Sequence, residues 1–325
     1  MTLVANDQTV PTAADTVEAV KNGAVSAEAV ASLAIQAVDR LNPEINAFTD
    51  VTADRALSEA RAVDAALERG EDLTLAGATY AVKNLFDMEG VTTRAGSKIN
   101  RENPPANADA TLVAKLRAAG AVLVGGLNMG EYAYDFTGEN VHDGNCLNPH
   151  DPTRMSGGSS SGSGAAVAAG MVSVSLGSDT NGSIRVPSSF CGLFGLKPTF
   201  GRLSRAGTFP FVGDLDHLGP LARSAEDLAL VFDVLQGTDS RDPAQAGKPT
   251  LATMPELAKG TDDLKIAIAG GYFRKSGMPE AFLAVDQIAE ALGASREVEI
   301  PEAARARAAA YVITTAQSST LHLDR

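Results

Sequence analysis

The sequence has little cysteine, no long hydrophobic run and no basic cluster. Its two cysteines, Cys146 and Cys191, match no zinc or redox spacing, so we expect a reduced, cytoplasmic protein. The apolar runs are short and broken by Gly or Ser, which argues against a membrane span, and the N-terminus has no signal-peptide pattern. The 27 Lys and Arg are scattered along a chain of net charge −13, so we expect no direct binding of nucleic acid or membrane.

Histidines are also few, and they do not form a metal motif. The four occur singly, and the HExxH pattern of zinc hydrolases is missing. They are His142, His150, His217 and His322. We therefore expect neither a metal nor a cofactor.

The composition is that of a globular protein, with 44% hydrophobic and 21% charged residues over 325 positions. Ser26 is expected to cap a helix that stops at Asn42-Pro43, and a second helix is expected over 53–68. Ser224 is expected to cap the helix over 224–235. Strands and helices then alternate, which indicates an α/β sheet. The expected strands are 78–82, 121–126, 171–177, 264–269 and 296–300, and the expected helices are 109–119, 163–169, 224–235, 279–292 and 302–315. Residues 237–259 are expected to form a long connection.

The stretch 157–164 consists only of Gly and Ser, and three interpretations compete for it. It has the composition of a flexible linker, although it joins directly to a helix-like and a strand-like segment. It is not a phosphate-binding loop, because the required Lys is missing. Residues 158–162 match G-x-S-x-G, with Ser160 as the nucleophile, but the segment upstream is polar and broken by proline rather than a buried strand.

Two further residues have chemical potential. Ser183 ends a Gly-containing turn after the strand 171–177, where clustered backbone N–H groups can stabilise an oxyanion; the alternative is an ordinary turn. Lys83 ends the apolar strand 78–82. It is either a surface residue with a buried stem or a buried lysine of lowered pKa that activates a serine.

Together, AVKN around Lys83, the block GGSSSGSGAAVAAG and the block GSDTNGSIRVP resemble the amidase signature family. The resemblance implies an α/β fold with a mixed sheet flanked by helices on both faces. It also implies amide hydrolysis by a Ser–cis-Ser–Lys triad, with Ser183 as nucleophile, Ser159 in a cis peptide bond and Lys83 as base. The oxyanion hole would be formed by the backbone N–H groups of Thr180, Asn181, Gly182 and Ser183.

One position departs from the family pattern. Asn181 stands where Gly or Ala is usual, and because Asn tolerates the left-handed backbone region we expect the turn to persist. Arg185 could bind a substrate carboxylate or brace the loop, and we favour bracing.

Within the family, runs such as KNLFDMEGVTT and DHLGP are most similar to the catalytic subunits of 1-carboxybiuret hydrolases. That similarity implies a small ureido or amide substrate, carboxybiuret-like, and release of ammonia in the cytoplasm. It also implies a homo- or hetero-oligomer and a small helical partner subunit. The alternatives are the A subunit of a glutamyl- or aspartyl-tRNA amidotransferase, and an inactive truncated remnant.

We expect an N-terminal helical region over 1–70 and the amidase α/β core over 71–325. Family members usually continue well beyond this length. The chain is therefore expected to lack the C-terminal part of the family domain.

Overall fold

The computed structural model describes residues 9–245, 247–261 and 263–323. The chain divides into two compact units, Met1–Met254 and Pro255–Arg325. The expected division at residue 70 stays a prediction. Residues 9–70 contribute three helices and one strand that is hydrogen bonded into the main sheet.

A six-stranded mixed sheet forms the centre of the first unit. Its strands are β1 (Phe48–Val51), β2 (Thr79–Lys83), β3 (Val122–Leu127), β6 (Val174–Asp179), β7 (Phe194–Gly195) and β8 (His217–Ala222). Their order in the sheet is β1-β3-β2-β6-β8-β7. β2 is parallel to both β3 and β6, whereas β1, β8 and β7 pair antiparallel to their neighbours. β4 (Leu147–Asn148) and β5 (Asp151–Met155) form a separate antiparallel pair.

Helices cover both faces of this sheet, as the resemblance implies. They are α1 (Ala13–Lys21), α2 (Ala27–Ile45), α3 (Ala53–Glu68), α4 (Thr111–Ala118), α5 (Ser161–Ala168), α6 (Arg185–Phe190) and α7 (Ala225–Leu235). Successive residues of β2 point to opposite faces. Tyr80 and Val82 pack in a cluster with α4 and α7, whereas Ala81 packs in a cluster with α2 and α5.

The predicted caps are confirmed, but one predicted helix end is wrong. Ser26 Oγ accepts the Ala29 N–H at 3.1 Å, and Ser224 Oγ accepts the Asp227 N–H at 3.0 Å. α2 continues through Pro43 to Ile45. A proline removes only one helical donor, and the buried Ile45 side chain keeps the last turn in the core.

In the second unit, β9 (Ile268–Ala269) pairs in parallel with β10 (Glu297–Val298). Its helices are α9 (Pro279–Ala291) and α10 (Ala303–Thr320), and the short α8 (Met254–Leu257) lies at the division, inside the expected connection. The strands predicted over 264–269 and 296–300 are shorter than expected, because pairing covers only two residues of each. Among the described residues, every helix is too short or too polar to cross a bilayer.

Candidate active site

Lys83 lies at the end of β2 and is fully buried. β2 pairs in parallel with β6, with Val82 beside Leu176, so the lysine side chain lies near the carboxyl end of β6. Its Nζ is 2.7 Å from Ser159 Oγ and 2.9 Å from Ser178 Oγ. The alternative of a surface lysine is therefore wrong.

The protein interior around Lys83 favours the neutral form of its amine more strongly than bulk water does. Burial lowers its pKa from 10.5 to about 7, although the nearby carboxylates of Asp135, Asp179 and Asp216 act to raise it. Desolvation disfavours the charged ammonium, and three carboxylates at a distance do not fully compensate for it. A substantial fraction of the lysine is then able to accept a proton at neutral pH.

The Gly/Ser stretch is packed inside the protein. Every residue from 156 to 170 is buried, which rules out a flexible linker. The Gly158–Ser159 peptide bond is cis. The Gly158 N–H donates to the Phe136 carbonyl at 2.9 Å, and the Gly130 N–H donates to the Ser159 carbonyl at 3.2 Å. The loop that precedes the stretch thus holds Ser159 from both sides.

Ser160 is occupied in joining this stretch to β6. Its Oγ donates to the Ser178 carbonyl at 3.2 Å and accepts the Ser178 N–H at 3.3 Å. The strand upstream is β5, which pairs with β4 outside the main sheet. The arrangement differs from a nucleophile elbow, which needs a central strand leading into the serine.

The turn after β6 brings Ser183 next to this stretch. The Ser183 carbonyl accepts the Ser160 N–H at 3.3 Å, and the residue is only 4% exposed. Gly182 has φ +149°, a value that side chains rarely adopt, whereas Asn181 is exposed and is not among the residues of positive φ. The left-handed tolerance expected of Asn181 is therefore not used.

Asp179 and Arg185 brace the turn from behind. The buried Asp179 carboxylate accepts Arg185 Nε at 2.9 Å, Arg185 Nη2 at 2.8 Å and the Ile184 N–H at 3.1 Å. Burial acts to raise the pKa of Asp179, but the Arg185 hydrogen bonds and charge outweigh it and hold that pKa below its usual value. Arg185 thus donates from Nε and Nη2 to the same carboxylate, which agrees with bracing.

Sequence reasoning missed two residues that surround Lys83. Ser178 lies near the end of the strand parallel to β2, and that adjacency is a signal that could have found it. Asp135 lies in an irregular loop, where its Oδ1 accepts the Thr137 and Gly138 N–H groups at 2.5 and 2.9 Å. No periodicity indicates such a position.

The remaining candidate ligands of the sequence stand apart from one another. His142 contacts Glu131 at 3.0 Å, His150 contacts the Cys191 carbonyl at 2.9 Å, and His217 Nδ1 lies 2.6 Å from the Leu215 carbonyl. His322 lies in the second unit. Across the residues that the structure describes, no group of three His, Cys, Asp or Glu could hold a metal ion.

A mixed sheet that carries a buried lysine against a serine in a cis peptide agrees with the arrangement that the sequence resemblance implies. The family model described as Amidase matches residues 29–324. The chain belongs to the amidase signature family.

Named relatives fall into two groups. The chain is 57% identical over 309 residues to the AtzE polypeptide of 1-carboxybiuret hydrolase from Pseudomonas sp. (strain ADP), covering 95% of this chain and 68% of the relative. It is 41% identical over 307 residues to the A subunit of the glutamyl-tRNA(Gln) amidotransferase of Koribacter versatilis (strain Ellin345), covering 93% of this chain and 64% of that relative. It thus spans about two thirds of their length.

A solved structure agrees with the first group. It belongs to a vestigial protein complex described as revealing the evolutionary origins of an s-triazine catabolic enzyme. The TM-score is 0.95 at 56% identity, and the match covers 97% of this chain and 69% of that one. The fold is therefore that of this family.

Proposed function

We propose that this chain is a serine amidohydrolase that cleaves a C–N bond of a small ureido or amide substrate through Ser183, Ser159 and Lys83. The observation that carries the proposal is the 2.7 Å contact between Lys83 Nζ and Ser159 Oγ, two fully buried side chains. A buried amine of pKa about 7 can act as a base at neutral pH, as a solvated lysine cannot.

Ser178 orients the lysine for this role. A neutral amine has two N–H groups and one lone pair. If one N–H donates to Ser178 Oγ, the lone pair can point to Ser159 Oγ and accept its proton. Ser159 in turn takes the proton of Ser183, so that the lysine activates a nucleophile that it need not contact.

Ser183 Oγ then attacks the amide carbon, and the C=O π electrons move to oxygen. The backbone N–H groups of Thr180, Asn181, Gly182 and Ser183 stabilise this oxyanion, a term of about 3–4 kcal/mol for one donor. The C–N bond breaks as the proton returns through Ser159 to nitrogen, so ammonia or an amine leaves. Water, deprotonated by the same relay, releases the acyl group.

A carboxybiuret-like substrate is supported by the 57% identity to the AtzE polypeptide of 1-carboxybiuret hydrolase. The A subunit of an amidotransferase is the second candidate, and the 41% identity to that group supports the same triad with glutamine as the ammonia source. Biuret and glutamine are thus the two probes that separate these functions. An inactive remnant would release ammonia from neither.

The test is ammonia release from biuret by the purified chain and by Ser183→Ala. Activity is expected in the wild type and in Ser173→Ala, a control serine whose hydroxyl donates to the Pro11 carbonyl outside the site. It is expected to vanish in Ser183→Ala. Turnover that persists in Ser183→Ala would show that the nucleophile is another residue.

A small helical partner is also part of the proposal. The match to a chain from a solved protein complex supports assembly with a partner subunit, and a small helical partner is the form that the sequence similarity implies. Light scattering of the chain purified from the cells that produce it naturally should give the mass of a hetero-oligomer. A mass equal to this chain alone or to its homo-oligomers would argue against such a partner.

A further inference from the structure

Thr180, the first residue of the turn, has a side-chain contact that the proposed triad does not use. Its Oγ1 donates to Asp216 Oδ1 at 2.5 Å. Asp216 directly precedes β8, which pairs antiparallel with β6 so that His217 stands opposite Asp179. The hydrogen bond therefore joins the catalytic turn to the neighbouring strand at the same edge of the sheet.

Asp216 is itself held in place by its own loop. Its Oδ2 accepts the Phe211 and Val212 N–H groups, both at 2.8 Å, and its N–H donates to the Val212 carbonyl at 2.9 Å. The side chain is buried, with 9% of the residue exposed. One carboxylate oxygen thus organises the loop, and the other is left to orient Thr180.

Arg205 fastens the same loop from the opposite side. Its Nη1 donates to the Gly213 carbonyl at 2.5 Å, and its Nε and Nη2 pair with the Asp242 carboxylate at 3.1 and 2.9 Å. The Asp242 partner is nearly fully buried. The loop that carries Asp216 is therefore held at two points, so the Asp216 carboxylate keeps a fixed position relative to the turn.

A cavity of about 190 Å³ lies beside this contact. Asp216 and Ser178 line it together with apolar side chains, among them Leu85, Phe211 and Leu218. The free volume therefore borders the Asp216 side of the contact and the end of β6 that leads into the turn. Without the hydrogen bond to Asp216, the turn backbone could shift by the few tenths of an ångström that separate a good oxyanion donor from a poor one.

We propose that Asp216 is a positioning residue that holds the oxyanion turn in its working geometry through the hydroxyl of Thr180. The proposal rests on the proposed amidohydrolase function, in which the turn's backbone N–H groups stabilise the tetrahedral intermediate. Asp216 contacts no reacting atom. Its charge adds a second effect, because it is one of three carboxylates that raise the pKa of Lys83.

The decisive variant is Thr180→Val, which removes the hydroxyl at nearly constant shape and leaves the loop of Asp216 intact. Because the turn acts on the transition state, kcat for biuret is expected to fall by about 10-fold or more, with KM changed less than about threefold. Thr180→Ser keeps the hydroxyl and should stay within about threefold of wild type. Equal kcat in wild type and Thr180→Val would overturn the proposal.

Hydrogen–deuterium exchange of the peptide covering 178–186 tests the tether without turnover. Exchange is expected to accelerate in Thr180→Val and to be restored in Thr180→Ser. Unchanged exchange in Thr180→Val contradicts the positioning role. If exchange differs between the wild type and Thr180→Val but the wild type shows no Ser183-dependent ammonia release, the proposed function alone is refuted.

A double-mutant cycle with Asp216→Asn connects the two residues. If they act through one hydrogen bond, adding Asp216→Asn to the Thr180→Val variant should lower kcat little further. If they act independently, the two fold-losses of kcat should multiply. A melting temperature for each variant separates loss of the folded state from loss of positioning.

Discussion

Lys83 Nζ lies 2.7 Å from Ser159 Oγ although 76 positions separate the two residues in the chain. The contact exists because β2 pairs in parallel with β6 and the loop of Gly130 and Phe136 clasps the cis peptide beside Ser159. Among the contacts that the structure describes, Lys83 has two serine hydroxyls and no carboxylate within hydrogen-bonding distance. The pair is therefore matched for proton transfer rather than for ion pairing.

Replacement of Lys83 should distinguish a base from a mere cation. Lys83→Met is expected to lower kcat by about 10²–10⁴, the usual contribution of a general base. Lys83→Arg should not rescue it, because a guanidinium cannot lose its proton to become an acceptor. Steady-state ammonia release measures both. Lys21→Met is the matched control, since Lys21 forms an ion pair with the exposed Asp72. Activity in Lys83→Arg close to that of the wild type would contradict the assignment of Lys83 as the base.

The pH dependence of kcat/KM should follow the lysine. Because Lys83 must be neutral and its pKa is about 7, kcat/KM is expected to rise tenfold per pH unit below 7 and to level off above it. His217→Gln is the control, since burial and Lys197 already lower the pKa of His217 below 6.5. A profile that is flat between pH 6 and 8 would exclude Lys83 as the titrating base.

The same lysine should make stability depend on pH. Between about pH 7 and 10.5 the unfolded chain keeps the Lys83 proton while the folded chain has lost it, so the free energy of unfolding rises with pH. Relative to Lys83→Met, the wild type should gain about 1.4 kcal/mol per pH unit over that range. Urea unfolding of both proteins at pH 7, 8 and 9 measures it. Parallel curves would mean that the pKa of Lys83 is not lowered.

Ser160 should prove structural. Ser160→Ala removes two hydrogen bonds to the backbone of Ser178, so a loss of stability of about 1–2 kcal/mol is expected, with substantial amidase activity retained. Thermal melts and ammonia release from the same preparations give both numbers. Complete loss of turnover in a folded Ser160→Ala protein would revive the elbow interpretation.

Arg185 should matter through Asp179. Arg185→Ala leaves the fully buried Asp179 carboxylate without its charged partner, and a loss of about 2 kcal/mol or more is expected. Arg154→Ala breaks an ion pair whose two side chains are 77% and 49% exposed, so it should change stability by less than about 1 kcal/mol. Chemical denaturation compares them. Equal losses would mean that Arg185 does not brace the turn.

Local patterns predicted the elements that local chemistry determines. The caps at Ser26 and Ser224, the helix over 53–68 and the strand that ends at Lys83 all follow from capping hydroxyls and apolar periodicity. The resemblance added the mixed sheet and the pairing of the lysine with Ser159. Pro43 misled because tertiary packing, with the Ile45 side chain fully buried, holds the last turn of the helix beyond it.

The parts that escaped prediction depend on contacts between distant segments. Ser178 faces Lys83 only once β2 and β6 are paired, and Thr180 finds Asp216 only once β8 is added on the other side. The short lengths of β9 and β10, which were predicted as longer strands, escaped for a related reason, since the length of a strand depends on its partner. Such relationships are properties of the sheet and not of any window of sequence.

The buried Gly/Ser stretch has a consequence for how this scaffold can change. Its serines donate to carbonyls of neighbouring elements, as Ser161 does to Asn128 and Ser163 to Leu176, and a Cβ on Gly162 would lie 2.3 Å from the Ala47 carbonyl oxygen. Larger side chains have no room there, and smaller ones forfeit the bonds. Substitutions that change substrate preference are therefore expected in the surrounding loops, while the segment that resembles a spacer tolerates few changes.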